Sequence, residues 1–288
     1  MALRPRTIDD AAMAPTLDIP HGSPLPGHDW MVGHGPPVLV GPLDGSDPSR
    51  RTTALAAGLA RRLGWRLALV PVPLGATARD RRERLIAAAM DERAELIASP
   101  AANHGPSDGA GAAACLALAD AAPCPVLAVP PIGRWRPTAS GSIVCGIDDS
   151  DGSASVARFA ARLALSLGAR LELVHLAAPP DGGARRRGGA SGACMGLLWR
   201  ALQTLEVMPP VDVVLELGEP AQRLCALAES ARTLLVIGTP ANAATNGERG
   251  GGVASTILAE SRVPVVLVPG RAAEVAGVPV TAGSEVAA

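Results

Sequence analysis

A glycine-dense segment near the C-terminal end of the chain has the composition of a phosphate-binding loop. Residues 234–237 are a short aliphatic run, which is typical of a buried strand. A polar loop over residues 242–252 then leads into residues 253–259, whose pattern predicts a helix. The first N–H groups of a helix lack intrahelical acceptors and lie at the positive end of its dipole, so a glycine loop that ends there favours phosphate. The candidate phosphate-binding residues are Gly238, Thr239, Gly251, Gly252 and Val253.

The spacing of these residues resembles the C-terminal signature of the universal stress protein family. In that family, nucleotide-binding members carry Gly, two residues, Gly, nine residues, Gly and then Ser or Thr. Here the four positions hold Gly238, Ala241, Gly251 and Gly252, so the spacing fits and two of the four residue types match. Residues 263–266, Val-Pro-Val-Val, also match the Pro-Val strand with which the family's domain ends.

Two polar residues after an earlier strand complete the candidate site. Residues 143–146 predict a buried strand, and Asp148 and Ser150 lie in the turn that follows it. The resemblance implies that Asp148 contacts the nucleoside, since the family carries an acidic residue there. The alternative is a carboxylate that only shapes the turn. Ser150 either reaches a phosphate or caps the turn.

Departures from the signature predict weak nucleotide binding. Gly252 stands where the family pattern has a hydroxyl, and one lost charge-assisted hydrogen bond weakens affinity by about 10- to 150-fold. Ala241 adds a further loss. The resemblance therefore implies that the second half of the chain holds ATP, with Mg2+ if it is bound, only weakly. Thr239, Ser255 and Arg249 are the residues that could compensate.

The composition excludes several classes of protein. The chain has 288 residues, enough for two domains, and its net charge of −1 argues against a nucleic acid or an anionic membrane as partner. All 26 basic residues are Arg. Without Lys there is no Walker A loop, no kinase-type strand lysine and no Schiff-base chemistry.

The cysteines and the N-terminal residues predict a cytoplasmic protein. The five cysteines include no Cys-x-x-Cys pair and are odd in number. This favours buried thiols in a reducing compartment over disulfides or a zinc site. The first residues lack an apolar signal core, and no apolar run is long enough to cross a membrane.

The order of strands and helices occurs twice along the chain. Alternating aliphatic strands and helices predict an α/β fold with parallel sheets covered on both faces. The resemblance specifies two Rossmann-like domains of the adenine-nucleotide alpha-hydrolase type. Gly41 pairs with Gly146 in the first strands and Pro125 with Pro264 in the last, shifts of 105 and 139 that leave 34 extra residues in the second half. We therefore expect four strands in the first domain and five in the second, the missing one being an edge strand.

The expected domain limits follow from composition and from this repeat. Residues 1–36 and 271–288 lack periodicity and large apolar residues, so we expect a disordered arm and a disordered tail. The first domain covers residues 37–131, a linker 132–141 and the second domain 142–270. In the second domain, a helix is expected over residues 194–205.

Small residues mark the expected helix ends. Ser49 and Ser153 are N-cap candidates for the first helix of each half, and Gly64 and Gly168 end those helices. His175 lies within an apolar strand and is expected to be a buried structural residue rather than a catalytic one.

The first half keeps the spacing of the signature but not its residues. Ser99, Ala102, Ala112 and Ala113 stand at the four positions. A Cβ at a glycine position obstructs an approaching phosphate and costs about 1–2 kcal/mol where the backbone must be left-handed. We therefore expect an adenine nucleotide to bind only the second half.

The last strand of each half predicts how the halves pack. The family commonly dimerises through this strand, and both halves keep it, at residues 126–129 and 265–268. The resemblance therefore implies an internal pseudo-dimer in which the two strands meet, with further homodimerisation left open.

Three functions remain open at this point. The first is a tandem universal stress protein that acts as a non-enzymatic stress-response module with weak ATP binding. The second is a protein-interaction or structural module that binds no nucleotide. The third is a nucleotide hydrolase: the sequence offers no Gly-x-Ser-x-Gly elbow and no metal-ligand cluster for it, although a Ser-His-Asp arrangement of distant residues stays open.

Overall fold

The computed structural model describes most of the expected strands and helices. The described residues are 38–101, 109–131, 141–148, 150, 152–177, 196, 203, 208–228, 233–239 and 252–270. The expected arm (1–36), the expected tail (271–288) and nearly all of the helix expected over residues 194–205 lie outside them. Structural statements below concern the described residues.

The two halves share a succession of elements, to which the second half adds one strand. The first half comprises β1 (Val38–Leu43), α1 (Asp47–Leu63), β2 (Arg66–Pro71), α2 (Ala78–Asp91), β3 (Leu96–Pro100), α3 (Gly109–Ala121) and β4 (Val126–Val129). The second comprises β5 (Ser142–Ile147), α4 (Ser153–Leu167), β6 (Arg170–Ala177), β7 (Val211–Leu217), α5 (Pro220–Ala228), β8 (Thr233–Thr239), α6 (Val253–Glu260) and β9 (Val265–Pro269). The expected end of the strand before Gly238 is therefore too early, because β8 continues through Thr239.

These nine strands form one continuous sheet in the order β2-β1-β3-β4-β9-β8-β5-β6-β7. Neighbours within each half are parallel. The exception is the central pair, β4 and β9, which are antiparallel with Leu127 opposite Val266. The two final strands thus meet in the middle of the sheet, as the resemblance implies. In the second half β7 pairs with β6 and forms the edge of the sheet. In the first half β2, the counterpart of β6, is itself the edge strand.

Helices cover both faces of the sheet, and each face has its own apolar cluster. Successive strand residues point to opposite faces, so that Leu39 belongs to one cluster and Val40 to the other. Helices α1 and α4 pack on the first face, and α2, α3, α5 and α6 on the second. The apolar stripe of α4 is buried: Val156, Ala160, Leu163 and Leu167.

The helix ends confirm the glycine stops and correct both N-caps. Gly64 and Gly168 adopt the left-handed conformation that ends α1 and α4. The N-cap of α1 is Ser46, whose side chain accepts from the N–H of Ser49. Ser49 is instead buried inside the helix, where its Oγ donates to the carbonyl of Pro42 at 2.9 Å. For α4 the N-cap is Gly152, without a side-chain cap.

The repeat has an offset of 104 residues over the first strands, not 105. The glycines that end α1 and α4, Gly64 and Gly168, are 104 positions apart, so Gly41 corresponds to Cys145 rather than to Gly146. The two glycines are not equivalent, because a Cβ on Gly146 would lie 2.8 Å from Leu224 Cδ1, whereas one on Gly41 has no neighbour closer than 3.9 Å. At the last strands the offset is 139, since Leu127 lies opposite Val266 in the pair of β4 with β9, so the second half carries 139 − 104 = 35 extra residues.

Candidate functional site

The candidate site lies where the strand order of the second half reverses. Strand β5 has β8 on one side and β6 on the other, and ligands of open α/β sheets bind in the crevice at the carboxyl ends of such strands. Cys145 pairs with Val236. Continuing this register places the residues after β5 beside the end of β8. The fold thus brings Asp148 and Thr239, far apart in sequence, to one edge of the sheet.

Asp148 is held by two serine hydroxyls in the turn after β5. Its Oδ1 accepts from Ser150 N at 3.0 Å, from Ser150 Oγ at 2.5 Å and from Ser153 Oγ at 2.6 Å. Its own N–H donates to Ser153 Oγ at 3.0 Å. Partial desolvation raises the pKa of Asp148, but the hydrogen bonds from Ser150 and Ser153 outweigh it, so the pKa lies below its ordinary value. The turn therefore presents an ionised carboxylate on an exposed residue.

Ser153 is a residue of this site that the sequence analysis assigned only as a cap. It is the first residue of α4, is 5% exposed, and bonds both the N–H and the carboxylate of Asp148. A signal for it exists in the sequence, since an Asp followed five residues later by Ser occurs after the first strand of both halves. In the first half these residues are Asp44 and Ser49, and Asp44 N donates to Ser49 Oγ at 3.3 Å.

At the end of β8, Gly238 and Thr239 have structural reasons for their identities. A Cβ on Gly238 would lie 3.0 Å from Val156 Cγ2 of α4, so glycine is needed for helix packing whether or not a ligand binds. Thr239 is 5% exposed, and its Oγ1 donates to the carbonyl of Val268 at 3.4 Å. The hydroxyl of Thr239 is thus engaged within the sheet, which removes it as a replacement for the missing signature hydroxyl.

Among the described residues, no side chain caps the N-terminus of α6. Gly252 is its N-cap, with no side-chain hydrogen bond to the helix, and Val253 at the first helical position is 43% exposed. The hydroxyls of Ser255 and Thr256 donate to the carbonyl of Gly252 at 3.2 and 3.4 Å. Gly252 has φ −76° and ψ 154°. Its backbone is therefore extended, not left-handed, and other residues can adopt this conformation. Gly251, Ala241 and Arg249 lie outside the described residues.

In the first half, two of the positions that correspond to the signature lie inside a helix. Helix α3 begins at Gly109, so Ala112 and Ala113 lie within the helix instead of before it. From Ala113 onward, each helical N–H bonds the carbonyl four residues earlier, and Ala112 is 3% exposed. Neither alanine has a positive φ. The N–H of Ala113 is therefore engaged within the helix, and neither position has the left-handed backbone that the sequence analysis considered.

Other polar residues near the crevice have structural roles. His175 is 7% exposed and its Nδ1 lies 3.2 Å from the carbonyl of Ile147, which fits the expected buried histidine. Across the described ranges, no group of three or more His, Cys, Asp or Glu side chains is arranged to hold a metal ion. Among the helices within these ranges, none is long and apolar enough to span a bilayer.

Two solved structures share this fold, and a third is similar to part of the chain. A functionally unknown protein from Pseudomonas aeruginosa PAO1 is 19% identical, with 81% of each chain covered and a TM-score of 0.52. A universal stress protein from Archaeoglobus fulgidus DSM 4304 is 15% identical over 81% of this chain and 96% of its own, with a TM-score of 0.54. The universal stress protein from Archaeoglobus fulgidus in complex with dAMP is 24% identical over 46% of this chain and 99% of its own, with a TM-score of 0.34.

Sequence comparison assigns the second half to a family. No curated protein sequence matches the chain. The model of the universal stress protein family, in contrast, matches residues 140–269, which span β5 to β9 and include every described residue of the candidate site. The spaced glycines, the acidic turn after β5 and the final Pro-Val strand lie in that stretch. Residues 140–269, the stretch that holds the candidate site, thus match the universal stress protein family.

Proposed function

We propose that this protein is a non-enzymatic stress-response module whose second half binds an adenine nucleotide weakly. The observation that carries the proposal is the convergence, at the reversal point of the strand order, of an ionised carboxylate and an uncapped helix N-terminus. Asp148 follows β5, and Gly252 and Val253 open α6 directly after neighbouring β8. An adenine nucleotide such as ATP, the ligand that the resemblance implies, has a nucleoside end and a phosphate end that match these two features.

The carboxylate is suited to the nucleoside. Asp148 has its Oδ1 fixed by Ser150 and Ser153, so its orientation is set before a ligand arrives. A preoriented, ionised acceptor suits the hydroxyl groups of a ribose, because hydrogen bonds to charged groups contribute about 1.5–3 kcal/mol.

The helix N-terminus is suited to the phosphates. The first N–H groups of α6 have no intrahelical acceptor, and the dipole favours negative charge there. These donors belong to the backbone, so they persist although Gly252 lacks the hydroxyl of the family pattern. The affinity is expected to be weak because that hydroxyl is missing and because Thr239 does not replace it.

Binding without turnover is the form of the proposal that these contacts favour. The described polar side chains hold one another: Asp148 accepts from two serines, and His175 contacts the Ile147 carbonyl. We therefore expect no ATP hydrolysis above the spontaneous rate when phosphate release is followed with Mg2+ and millimolar ATP. Release that disappears in an Asp148→Asn variant would establish the hydrolase alternative instead.

A pair of matched variants tests the location of the ligand. Asp148→Asn keeps the shape of the side chain but removes its charge, and it should weaken ATP binding by about 10- to 150-fold. Asp44→Asn makes the same change at the equivalent position of the first half and should leave the affinity unchanged. Both are measured by titration at a temperature where circular dichroism shows each variant folded. Equal ATP affinity of the parent and Asp148→Asn would refute the assigned site, and no binding by the parent up to about 10 mM ATP would favour the partner-binding alternative.

A further inference from the structure

The first half keeps the acidic turn of the candidate site although its sequence departs from the phosphate-binding signature. Asp44 Oδ1 accepts from Ser46 N at 2.9 Å, and Asp44 N donates to Ser49 Oγ. The bonds of Asp148 to Ser150 N and to Ser153 Oγ are the same, 104 residues later. Asp44 thus lies at the end of β1, where the strand order of the first half reverses between β2 and β3.

A difference between the halves lies in what faces this carboxylate. Arg81 of α2 places Nη2 2.7 Å from Asp44 Oδ2. The two side chains are 14% and 3% exposed, so the pair is almost completely removed from solvent. Asp148 belongs to an exposed residue.

The position of Arg81 in the second half is identified by the packing of the helices. Leu85 and Ala89 of α2 are buried at 0% and 1%, and Leu224 and Ala228 of α5 at 4% and 0%. Both pairs belong to the cluster on the same face of the sheet and are separated by the offset of 139 that also relates β4 to β9. That offset places Pro220, the first residue of α5, where α2 has Arg81. Proline carries no charge, so α5 supplies no cation from this position.

The charge of Arg81 extends over the end of the next strand as well. Cys115 of α3 donates to the carbonyl of Pro100, the last residue of β3, at 3.3 Å. This buried thiol lies close enough to Arg81 to feel its charge. The charge of Arg81 thus acts at the end of β1, through its contact with Asp44, and also on a thiol bonded to the end of β3, the other strand that borders the crevice of the first half.

We propose that Arg81 is a built-in occupant of the first half's crevice: it takes the place of a ligand on Asp44 and restricts nucleotide binding to the half that carries Pro220. The claim that nucleotide binding is confined to the second half rests on the proposed function above. The claim that Arg81 occupies the crevice of the first half does not. Asp44 is retained in this view because a buried Arg needs a carboxylate partner.

Transfer of the arginine tests the restriction. Pro220→Arg places a guanidinium at the matching position of the second half, and Pro220→Ala is the control that removes only the proline. We expect Pro220→Arg to weaken ATP binding at least about 10-fold relative to Pro220→Ala, because the guanidinium competes for Asp148. Equal or tighter ATP binding by a folded Pro220→Arg variant overturns the restriction.

A double-mutant cycle tests the occupation without any nucleotide. Arg81→Met, Asp44→Asn and the double variant are unfolded with urea, and their midpoints are compared with that of the parent. Each single variant leaves one buried partner unmatched, so the double variant should lose clearly less than the sum of the two single losses. Additive losses would show that the two side chains do not depend on each other and would overturn the proposal. If the parent binds no ATP, the proposed function fails, and this cycle still decides whether Arg81 fills the crevice.

Discussion

Restoring the signature hydroxyl at Gly252 should convert a weak nucleotide site into a stronger one. Gly252 is the N-cap of α6 with φ −76° and ψ 154°, a conformation that serine adopts readily at N-caps. A Cβ built on Gly252 meets no atom within 4 Å. The change Gly252→Ser therefore adds a hydroxyl at the open helix N-terminus without strain or a clash.

The magnitude follows from the contact that is gained. A hydrogen bond from a serine hydroxyl to a phosphate is charge-assisted and contributes about 1.5–3 kcal/mol, which lowers Kd by about 10- to 150-fold. The variant should also gain stability without ligand, but only by a few tenths of a kcal/mol, the usual difference between Ser and Gly at an N-cap. The gain in affinity should thus be several times larger than the gain in stability.

The assay is calorimetric titration of the parent and three variants with ATP and Mg2+. Gly252→Ala serves as the control for the added Cβ and should not improve affinity. Gly238→Ser introduces a hydroxyl at the neighbouring signature position, where its Cβ would lie 3.0 Å from Val156 Cγ2, and should destabilise the fold without improving binding. A Gly252→Ser variant that is folded and binds ATP no more tightly than Gly252→Ala would refute the placement of phosphate at this helix.

Three further predictions concern stability and reactivity. Gly146→Ala places a Cβ 2.8 Å from Leu224 Cδ1 and 3.3 Å from Ile237 Cγ2, so urea unfolding should show a loss of about 1–3 kcal/mol. Gly58→Ala lies within α1, and its added Cβ has no described atom within 4 Å, so it should instead raise the free energy of unfolding by about 0.5–1 kcal/mol. A loss of stability in Gly58→Ala, or no loss in Gly146→Ala, would contradict the packing described. Burial raises the pKa of Asp44. Hydrogen bonds from Ser46 and Ser49 and the charge of Arg81 lower it by more, so the pKa in the folded state lies below the ordinary value. The stability from this group is therefore fully present above about pH 4 and lost as pH falls through the folded pKa; Asp44→Asn should flatten that part of the stability–pH curve, and an unchanged slope would count against it. Burial raises the pKa of Cys115 to about 11 and that of Cys124 to about 12, so a thiol reagent at pH 8 should label both only as fast as the protein unfolds, and rapid labelling of the native chain would contradict their burial.

The sequence predicts the sheet well because its strands are aliphatic and its helices are bounded by glycine. The short runs at β3, β8 and β9 are apolar on both faces, as a strand covered by helices on both sides requires. Gly64 and Gly168 end their helices because a left-handed residue is needed there. The pairing of β4 with β9 could be predicted only through the resemblance, because the residue pattern of a buried strand does not specify which other strand it pairs with.

The N-caps illustrate where local patterns are insufficient. Ser46 and Ser49 both precede or open α1 and are equally good caps by residue type. The carbonyl of Pro42 at the end of β1 decides between them, because it accepts the hydroxyl of Ser49 and draws that side chain into the core. Such a contact between a strand end and a helix depends on tertiary structure, which a local sequence pattern does not contain.

The candidate site was predictable in its position but not in its side-chain roles. The spacing from Gly238 to Gly252 and the acidic turn at Asp148 indicate the edge of the sheet at which the structure places Asp148, Gly238 and Thr239. The engagement of the Thr239 hydroxyl by Val268 depends on the register between β8 and β9. Likewise, the pairing of Asp44 with Arg81 spans 37 residues and connects a strand end to a helix. Neither can be deduced from spacing along the chain.

Hydrogen exchange of the intact chain with and without 10 mM ATP and Mg2+ tests the central claim most directly. At a Kd of about 1 mM, this concentration stabilises the bound state by about 1.4 kcal/mol, enough to slow exchange about tenfold at contacting amides. We predict slower exchange in the turn around Asp148 and in the first turn of α6 after Gly252, with no change around Asp44 or at the start of α3. Equal protection of the two halves, or no protection anywhere at this concentration, would contradict nucleotide binding restricted to the second half.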